Sequence, residues 1–238
     1  MIIEKGKLYL IPTTLGDNEP LEVLPISVKK IIEETDVYIV ENEKTARHFI
    51  KKINPKKVQA TLKLFPLNKF TDKSLLPEYL EPCIKGTNIG LLSEAGCPGV
   101  ADPGADIVKI AHQKNIKVVP LVGPSSILMA LMSSGMNGQS FAFNGYLPID
   151  KDERKKEIKR LERISSEHNQ SQIFIETPYR NNKMLEEMCN TLDGNTLICV
   201  ACDITLSTEF IKTQTVNVWK KNIVDLHKRP TIFIIHKN

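Results

Sequence analysis

The sequence predicts an α/β chain of two domains, each with a mainly parallel or mixed sheet. Short β-rich runs alternate with longer amphipathic stretches, and this alternation occurs twice along the 238 residues. At roughly 150 residues per domain, that length gives each half a core of its own. With 41% hydrophobic, 25% charged and 6% aromatic residues, the composition is that of a globular chain. Disordered, fibrous and disulfide-stapled classes are excluded. A formal net charge of +4 neither demands nor excludes a nucleic-acid partner.

Strands of the first half are expected at Leu8 to Ile11, Val37 to Val40, Val58 to Leu64, Ile89 to Leu92 and Val118 to Leu121. Between them, apolar residues at helical spacing mark Ile26 to Glu34 and Ile107 to Ala111. The second half repeats the pattern with strands at Phe141 to Asn144, Ile173 to Glu176, Thr196 to Cys202, Ile211 to Val218 and Thr231 to Ile235. Helices there are expected over Asp152 to Glu167, Lys183 to Leu192 and Trp219 to Leu226. The mixed charges of Lys151 to Arg163 read as a solvated helix face laced with ion pairs, with a basic groove for RNA as the alternative. Gly123 and Pro124 form the hinge signal, giving domains 1–122 and 123–238.

Val118 to Ile149 carries no charge, but Pro120, Gly123, Pro124, Gly135 and Gly138 interrupt it, so it reads as core and not as a membrane span. The N-terminal apolar run is too short for a secretory signal. Five scattered cysteines suit reduced thiols, and together these features predict a cytoplasmic protein with no membrane association. Cys199 and Cys202 match a C-x-x-C spacing inside a β-rich run, where residues three apart face opposite ways, so they read as core thiols. No metal site is expected.

Chemistry in an open parallel sheet belongs to the loops beyond the carboxyl ends of its strands. One such loop runs from Ser93 to Gly104 and packs three glycines, two prolines, Glu94 and Asp102 into twelve positions. Glycine admits close backbone approach and proline fixes loop shape. A second loop, Val122 to Ser126, precedes an apolar helix pattern from Ile127 to Met132, which Ser125 or Ser126 is placed to cap. The third, Pro12 to Asp17, follows the first strand. Phosphate-loop, dinucleotide, zinc-protease and nucleophile-elbow patterns are absent from the sequence, which removes ATPase, dehydrogenase, zinc-protease and serine-hydrolase readings.

Taken together, Leu8 to Thr13, Glu41 to Arg47, Ser93 to Gly104, Pro120 to Ser126, Gly145 to Pro148 and Glu176 to Arg180 resemble the class III S-adenosylmethionine-dependent methyltransferases, the tetrapyrrole-methylase-like superfamily. The likeness is strongest to the bacterial branch that methylates a cytidine 2′-hydroxyl of small-subunit ribosomal RNA. It implies a cofactor cleft between two α/β domains and a homodimer. It also implies cofactor contacts from Pro12, Glu94, Gly96, Cys97, Ser125 and Ser126, with Ala201 and Thr231 holding the adenine. Four positions depart from the branch. Glu94 stands for an aspartate, Glu41-Asn42-Glu43-Lys44 for a pattern like E-D-T-R, Tyr179 for a histidine, and Cys202-Asp203 for an Arg-Glu pair. The branch also usually continues into a helical segment beyond the position of Asn238.

Methyl transfer to a ribose hydroxyl needs a base for the departing proton. Glu41 and Glu176 are the expected carboxylates, with Asp102 behind them and Arg180 beside Glu176. Lys44, Arg47 and Tyr179 are expected to meet the substrate, ribosomal RNA or the small ribosomal subunit, with Lys44, Arg47 and Arg180 converging at one cleft mouth. Methylation of a tetrapyrrole or a modified protein side chain is the alternative activity, and a non-catalytic cofactor-binding regulator is the alternative from another class.

Overall fold

The computed structural model describes residues 4–222 and 224–237, and the chain divides into two compact units, one reaching to Ser125 and one beginning at Ser126. In the first unit the elements run in the order β1 (Lys7–Ile11), α1 (Pro20–Val23), α2 (Ile26–Glu34), β2 (Val37–Val40), α3 (Glu43–Ile53), β3 (Lys63–Pro66), α4 (Leu76–Tyr79), α5 (Glu81–Ile84), β4 (Ile89–Leu92), α6 (Ala105–Gln113) and β5 (Lys117–Pro120). The five strands form one sheet in the order β3-β2-β4-β1-β5, parallel throughout.

A parallel sheet buries both faces, and the strands show it. Leu8, Ile39, Ile89 and Leu91 pack on one side with Leu76, Leu80, Ile107 and Ala111 of the later helices. Tyr9, Ile11, Tyr38 and Val40 pack on the other with Val28, Ile32, Ala46 and Ile50 of the earlier ones. The Tyr38 hydroxyl donates to the Thr35 carbonyl at 2.8 Å, which satisfies the one polar atom of that buried ring. Strand order also fixes where a ligand fits. From β2 the chain leaves toward β3 and from β4 it leaves toward β5, so connections from these adjacent strands diverge and open a crevice at their carboxyl ends.

One expectation for this unit fails, and one helix was not expected. The strand expected over Val58 to Leu64 begins only at Lys63, because Gln59–Thr61 forms a 3-10 turn and Val58 lies exposed. Helix α3 has no counterpart in the sequence reading. Its signal is Asn42, whose side chain accepts from the backbone N–H groups of Lys44 and Thr45, followed by Ala46, Ile50 and Ile53 on one buried stripe.

In the second unit the order is α7 (Ser126–Ser134), β6 (Phe141–Tyr146), α8 (Lys151–His168), β7 (Ser171–Ile175), α9 (Asn181–Thr191), β8 (Leu197–Cys202), β9 (Phe210–Thr215), α10 (Val216–Trp219) and β10 (Thr231–His236). The sheet order is β6-β7-β10-β8-β9, with β6 and β7 parallel and the other three pairings antiparallel. The sheet of this half is mixed, as expected: β10 lies between β7 and β8 and runs against both. Helices α8, α9 and α10 cover one face around Phe174, Phe233, Trp219 and Met188. The strand expected to run on to Val218 ends at Thr215, and Val216 to Trp219 turns helical so that Trp219 is buried, its indole N–H donating to the Ile198 carbonyl. Of the helix expected over Trp219 to Leu226, only Trp219 is helical among the described residues, and Ile223 lies outside them. Cys199 and Cys202 are fully buried in β8, and burial pushes both thiols up. Among the described residues no helix is long and apolar enough to cross a membrane, and no group of side chains could hold a metal ion.

Candidate functional site

Three loops meet at the carboxyl end of the first sheet. The backbone N–H of Thr13, after β1, donates to the Gly96 carbonyl at 3.0 Å, and the Ser93 hydroxyl donates to the same carbonyl. The Cys97 thiol points at the Pro124 carbonyl, 3.5 Å away. Gly96 has φ +72°, and a Cβ there would lie 3.1 Å from Leu15 and 3.2 Å from the Pro124 oxygen. Its glycine is therefore demanded by backbone conformation and loop packing, before any ligand is considered. Gly123 fits against the Pro12 ring so closely that a Cβ would come within 2.2 Å of its Cγ. Pro12, Gly96 and Cys97 thus belong to one interlocked surface. Burial pushes the Cys97 thiol up, which keeps it protonated.

Beside this surface lies a cavity of about 760 Å³, in the crevice that the strand order opens. Glu41, directly after β2, lines it, and so do Glu94 and Asp102 of the Gly/Pro loop. Among the described residues no cation lies within ion-pair distance of these three carboxylates. Glu94 accepts from the Thr45 hydroxyl at 2.8 and 3.0 Å. Asp102 keeps Oδ2 buried without a hydrogen-bond partner. Burial, and then the charges of Glu41 and Glu94, push the Asp102 carboxyl up to about 6. Burial and Glu94 likewise push Glu41 up. Ala101, just before Asp102, holds a left-handed backbone at φ +60°. Such a conformation is strained for a residue with a Cβ.

A smaller cavity of about 250 Å³ adjoins, lined by Thr13, Ser93, Thr45, His48, Lys52 and Glu94 among others. Glu94 faces both spaces.

The expected cations behave differently from one another. Lys44 is exposed on the first turn of α3. Arg47 is occupied: its guanidinium donates to the Gln59 carbonyl at 2.6 Å and lies 3.7 Å from Glu43, so it ties α3 to the 3-10 turn before β3. In the second unit Glu176 is buried at the end of β7 and accepts from Arg180 at 2.6 Å and from the Thr177 N–H at 2.6 Å. Tyr179 is exposed, its ring edge-on to His227 and under Lys228. Ala201 sits in β8 opposite Ile232, and Thr231 starts β10 opposite Cys202, so these two are neighbours across the ladder. Ser126 opens α7, and Ser125 is the last residue of the first unit. Asp203, at a departure from the branch pattern, accepts from Arg229 at 2.7 Å.

The sequence reading missed Asn68, Lys69, Phe70 and Lys73, which line the larger cavity from the loop after β3. Misplacing β3 hid them. Read from Lys63–Pro66, the segment is the strand-end loop that the crevice rule singles out.

A parallel sheet with an acidic crevice at its carboxyl end and a second, mixed α/β unit define a class, and comparison with known proteins gives it a family. Residues 7–217 match the family described as tetrapyrrole (corrin/porphyrin) methylases, and the chain belongs to that family. Among curated relatives, ribosomal RNA small subunit methyltransferase I of Bacillus subtilis (strain 168) is 32% identical over 210 residues, spanning 88% of this chain and 68% of the relative. The protein of the same name from Buchnera aphidicola subsp. Schizaphis graminum is 29% identical over 233 residues, spanning 97% and 78%. Among solved structures, the methyltransferase CobJ superposes with a TM-score of 0.64 at 15% identity, over 98% of this chain and 94% of its own. Uroporphyrin-III C-methyl transferase from Thermus thermophilus, complexed with S-adenyl homocysteine, gives 0.58 at 14%, over 98% of each. At these identities the structural likeness is one of fold.

Proposed function

We propose that this protein is an S-adenosylmethionine-dependent methyltransferase that methylates a ribose 2′-hydroxyl of ribosomal RNA, in the cytoplasm and as a homodimer. The observation that carries the reading is the crevice of unpaired carboxylates at the end of the parallel sheet, in a chain whose curated relatives are named small-subunit ribosomal RNA methyltransferases. When bound, S-adenosylmethionine supplies an electrophilic methyl group on a sulfonium. The residues present fit such a molecule, which carries an ammonium, a positive sulfur and ribose hydroxyls. Glu94 offers an anionic acceptor, and Thr13 and Ser93 offer hydroxyls 3.3 Å apart beside it.

We assign the proton acceptor to Asp102, with Glu41 beside it. A base works best when its pKa lies near the working pH, and Asp102, at about 6, meets that condition. The groups facing it are Glu41 from the end of β2, Glu94 from its own loop, and Lys69 and Lys73 from the loop after β3, with Lys73 paired to Asp106 of α6. Glu176 suits the role less well, because Arg180 and the Thr177 N–H already engage its carboxylate.

The test is labelled methyl transfer from S-adenosylmethionine to small ribosomal subunits from cells lacking this gene. The expected product is one labelled nucleotide that resists alkaline cleavage on its 3′ side, as a blocked 2′-hydroxyl requires. Label appearing in protein or in a tetrapyrrole, and none in RNA, would overturn the reading.

A further inference from the structure

Phe70 is 84% exposed, the most exposed of the large hydrophobic side chains among the described residues, and it stands at the lip of the larger cavity. An aromatic ring left in water contributes little to folding, yet the turn that carries this one is tied by a set of hydrogen bonds. The Phe70 N–H donates to Asn68 Oδ1 at 2.9 Å, the Asn68 N–H donates to the Thr71 hydroxyl at 2.9 Å, and that hydroxyl donates to the Pro66 carbonyl at 3.1 Å. Thr71 N–H closes the turn on the Asn68 carbonyl. The Lys69 ammonium lies 4.9 Å from the Phe70 ring centroid. The ring shares the lining of this cavity with the carboxylates Glu41, Glu94 and Asp102 and the amides Asn42 and Asn68.

Each part matches one part of a nucleotide. With the Lys69 ammonium over one face of the ring, the opposite face is a flat apolar platform that stacks a base of any identity. Lys69 and Lys73 lie where a flanking phosphate would follow the stacked base. Carboxylate acceptors in the lining suit sugar hydroxyls or an exocyclic amino group. A cavity of about 760 Å³ is within the size range of small-ligand sites, and so takes one nucleotide but no duplex.

We infer that Phe70 is the stacking platform for the base of the acceptor nucleotide, which leaves its own stack and enters the cavity from the lip formed by Asn68 to Lys73. This rests on the ribosomal RNA reading given above and adds to it the residue that captures the base. RNA recognition by stacking unpaired bases on aromatic side chains is the common mode for single strands and loops.

The experiment uses the full chain and an RNA fragment spanning the methylated nucleotide once mapped, with a fluorescent cytidine or purine analogue at that position. Binding is followed by fluorescence without cofactor, and KM and kcat by methyl transfer on the unlabelled fragment. Wild type should quench the analogue. Phe70→Ala should abolish the quench and raise Kd and KM for RNA by about 5- to 100-fold, while S-adenosylmethionine affinity by calorimetry stays within about twofold. Phe70→Leu, apolar but without a π face, should remain impaired, and Phe70→Trp should restore the quench. If wild type methylates the RNA and Phe70→Ala binds it equally well with an unchanged quench, the platform is refuted and the activity stands. If wild type neither binds nor methylates RNA, both readings fall together.

Discussion

The carboxylates at the ends of the two sheets are treated in opposite ways. In the first unit Glu41, Glu94 and Asp102 share a cavity without a cationic partner among the described residues, and burial with mutual repulsion pushes Glu41 and Asp102 up. In the second, Glu187, Glu176 and Asp203 are each matched by an arginine. Glu187 receives two bonds from Arg154, at 2.5 and 2.7 Å, Glu176 pairs with Arg180, and Asp203 with Arg229. The Arg154 hydrogen bonds hold the Glu187 carboxyl below its ordinary range, whereas burial and crowding raise Glu41 and Asp102. On the proposed function, proton chemistry falls to the first unit, and these arginine pairs tie elements of the second together.

The largest test of this contrast removes an arginine. Arg154 is almost fully buried and also donates to the carbonyls of Pro148 and Ile149, so Arg154→Ala leaves Glu187 buried without its partner. It should destabilise the protein by about 3 kcal/mol or more, read from chemical denaturation of the second unit. Glu176→Gln should cost about 1 to 3 kcal/mol by the same measurement, since it replaces a charged acceptor of two bonds. Glu41→Gln, by contrast, should change stability by less than about 0.5 kcal/mol or raise it slightly.

A pH dependence sharpens the comparison. The folded state holds the Asp102 proton up to about pH 6, above an ordinary aspartate, so between those values the folded protein binds more protons than the unfolded chain. Stability from this group is thus fully present at low pH and is lost as pH rises through the window. Asp102→Asn should stabilise the protein at pH 8 by on the order of 1 kcal/mol, a figure reduced for partial solvent screening, and the difference should vanish below about pH 4. Melting curves at the two pH values read it directly. A comparably small effect is expected at the strained residue beside it: Ala101→Gly should add about 0.5 to 1 kcal/mol of stability by relieving the left-handed backbone.

The particular residues show why some of this was legible in the sequence. Buried parallel strands are continuous apolar runs, so Leu8 to Ile11, Val37 to Val40 and Ile89 to Leu92 stand out. Glu41 and Glu94 stand out because each closely follows such a run, and Asp102 because it lies in the Gly/Pro-rich loop after Ile89 to Leu92. The antiparallel placing of β10 was not legible, since strand direction is a property of long-range pairing and Thr231 to His236 looks the same either way. Alternation misled at Val58 to Leu64, where the apolar residues belong to a turn and the strand starts later. That error hid Phe70. Arg47 illustrates another limit: a basic residue in a motif reads as a ligand contact, while the bond its guanidinium makes to a carbonyl twelve residues away leaves no mark in the sequence.

The most direct measurement is the pH dependence of single-turnover methyl transfer to RNA, compared among wild type, Glu176→Gln and Asp102→Asn. Wild type should show a rate that climbs about tenfold per pH unit below about 6 and then levels. Glu176→Gln should keep that profile, and Asp102→Asn should lose or displace the limb and lower the plateau. A limb that disappears in Glu176→Gln and survives unchanged in Asp102→Asn would place the proton chemistry in the second unit and contradict the account.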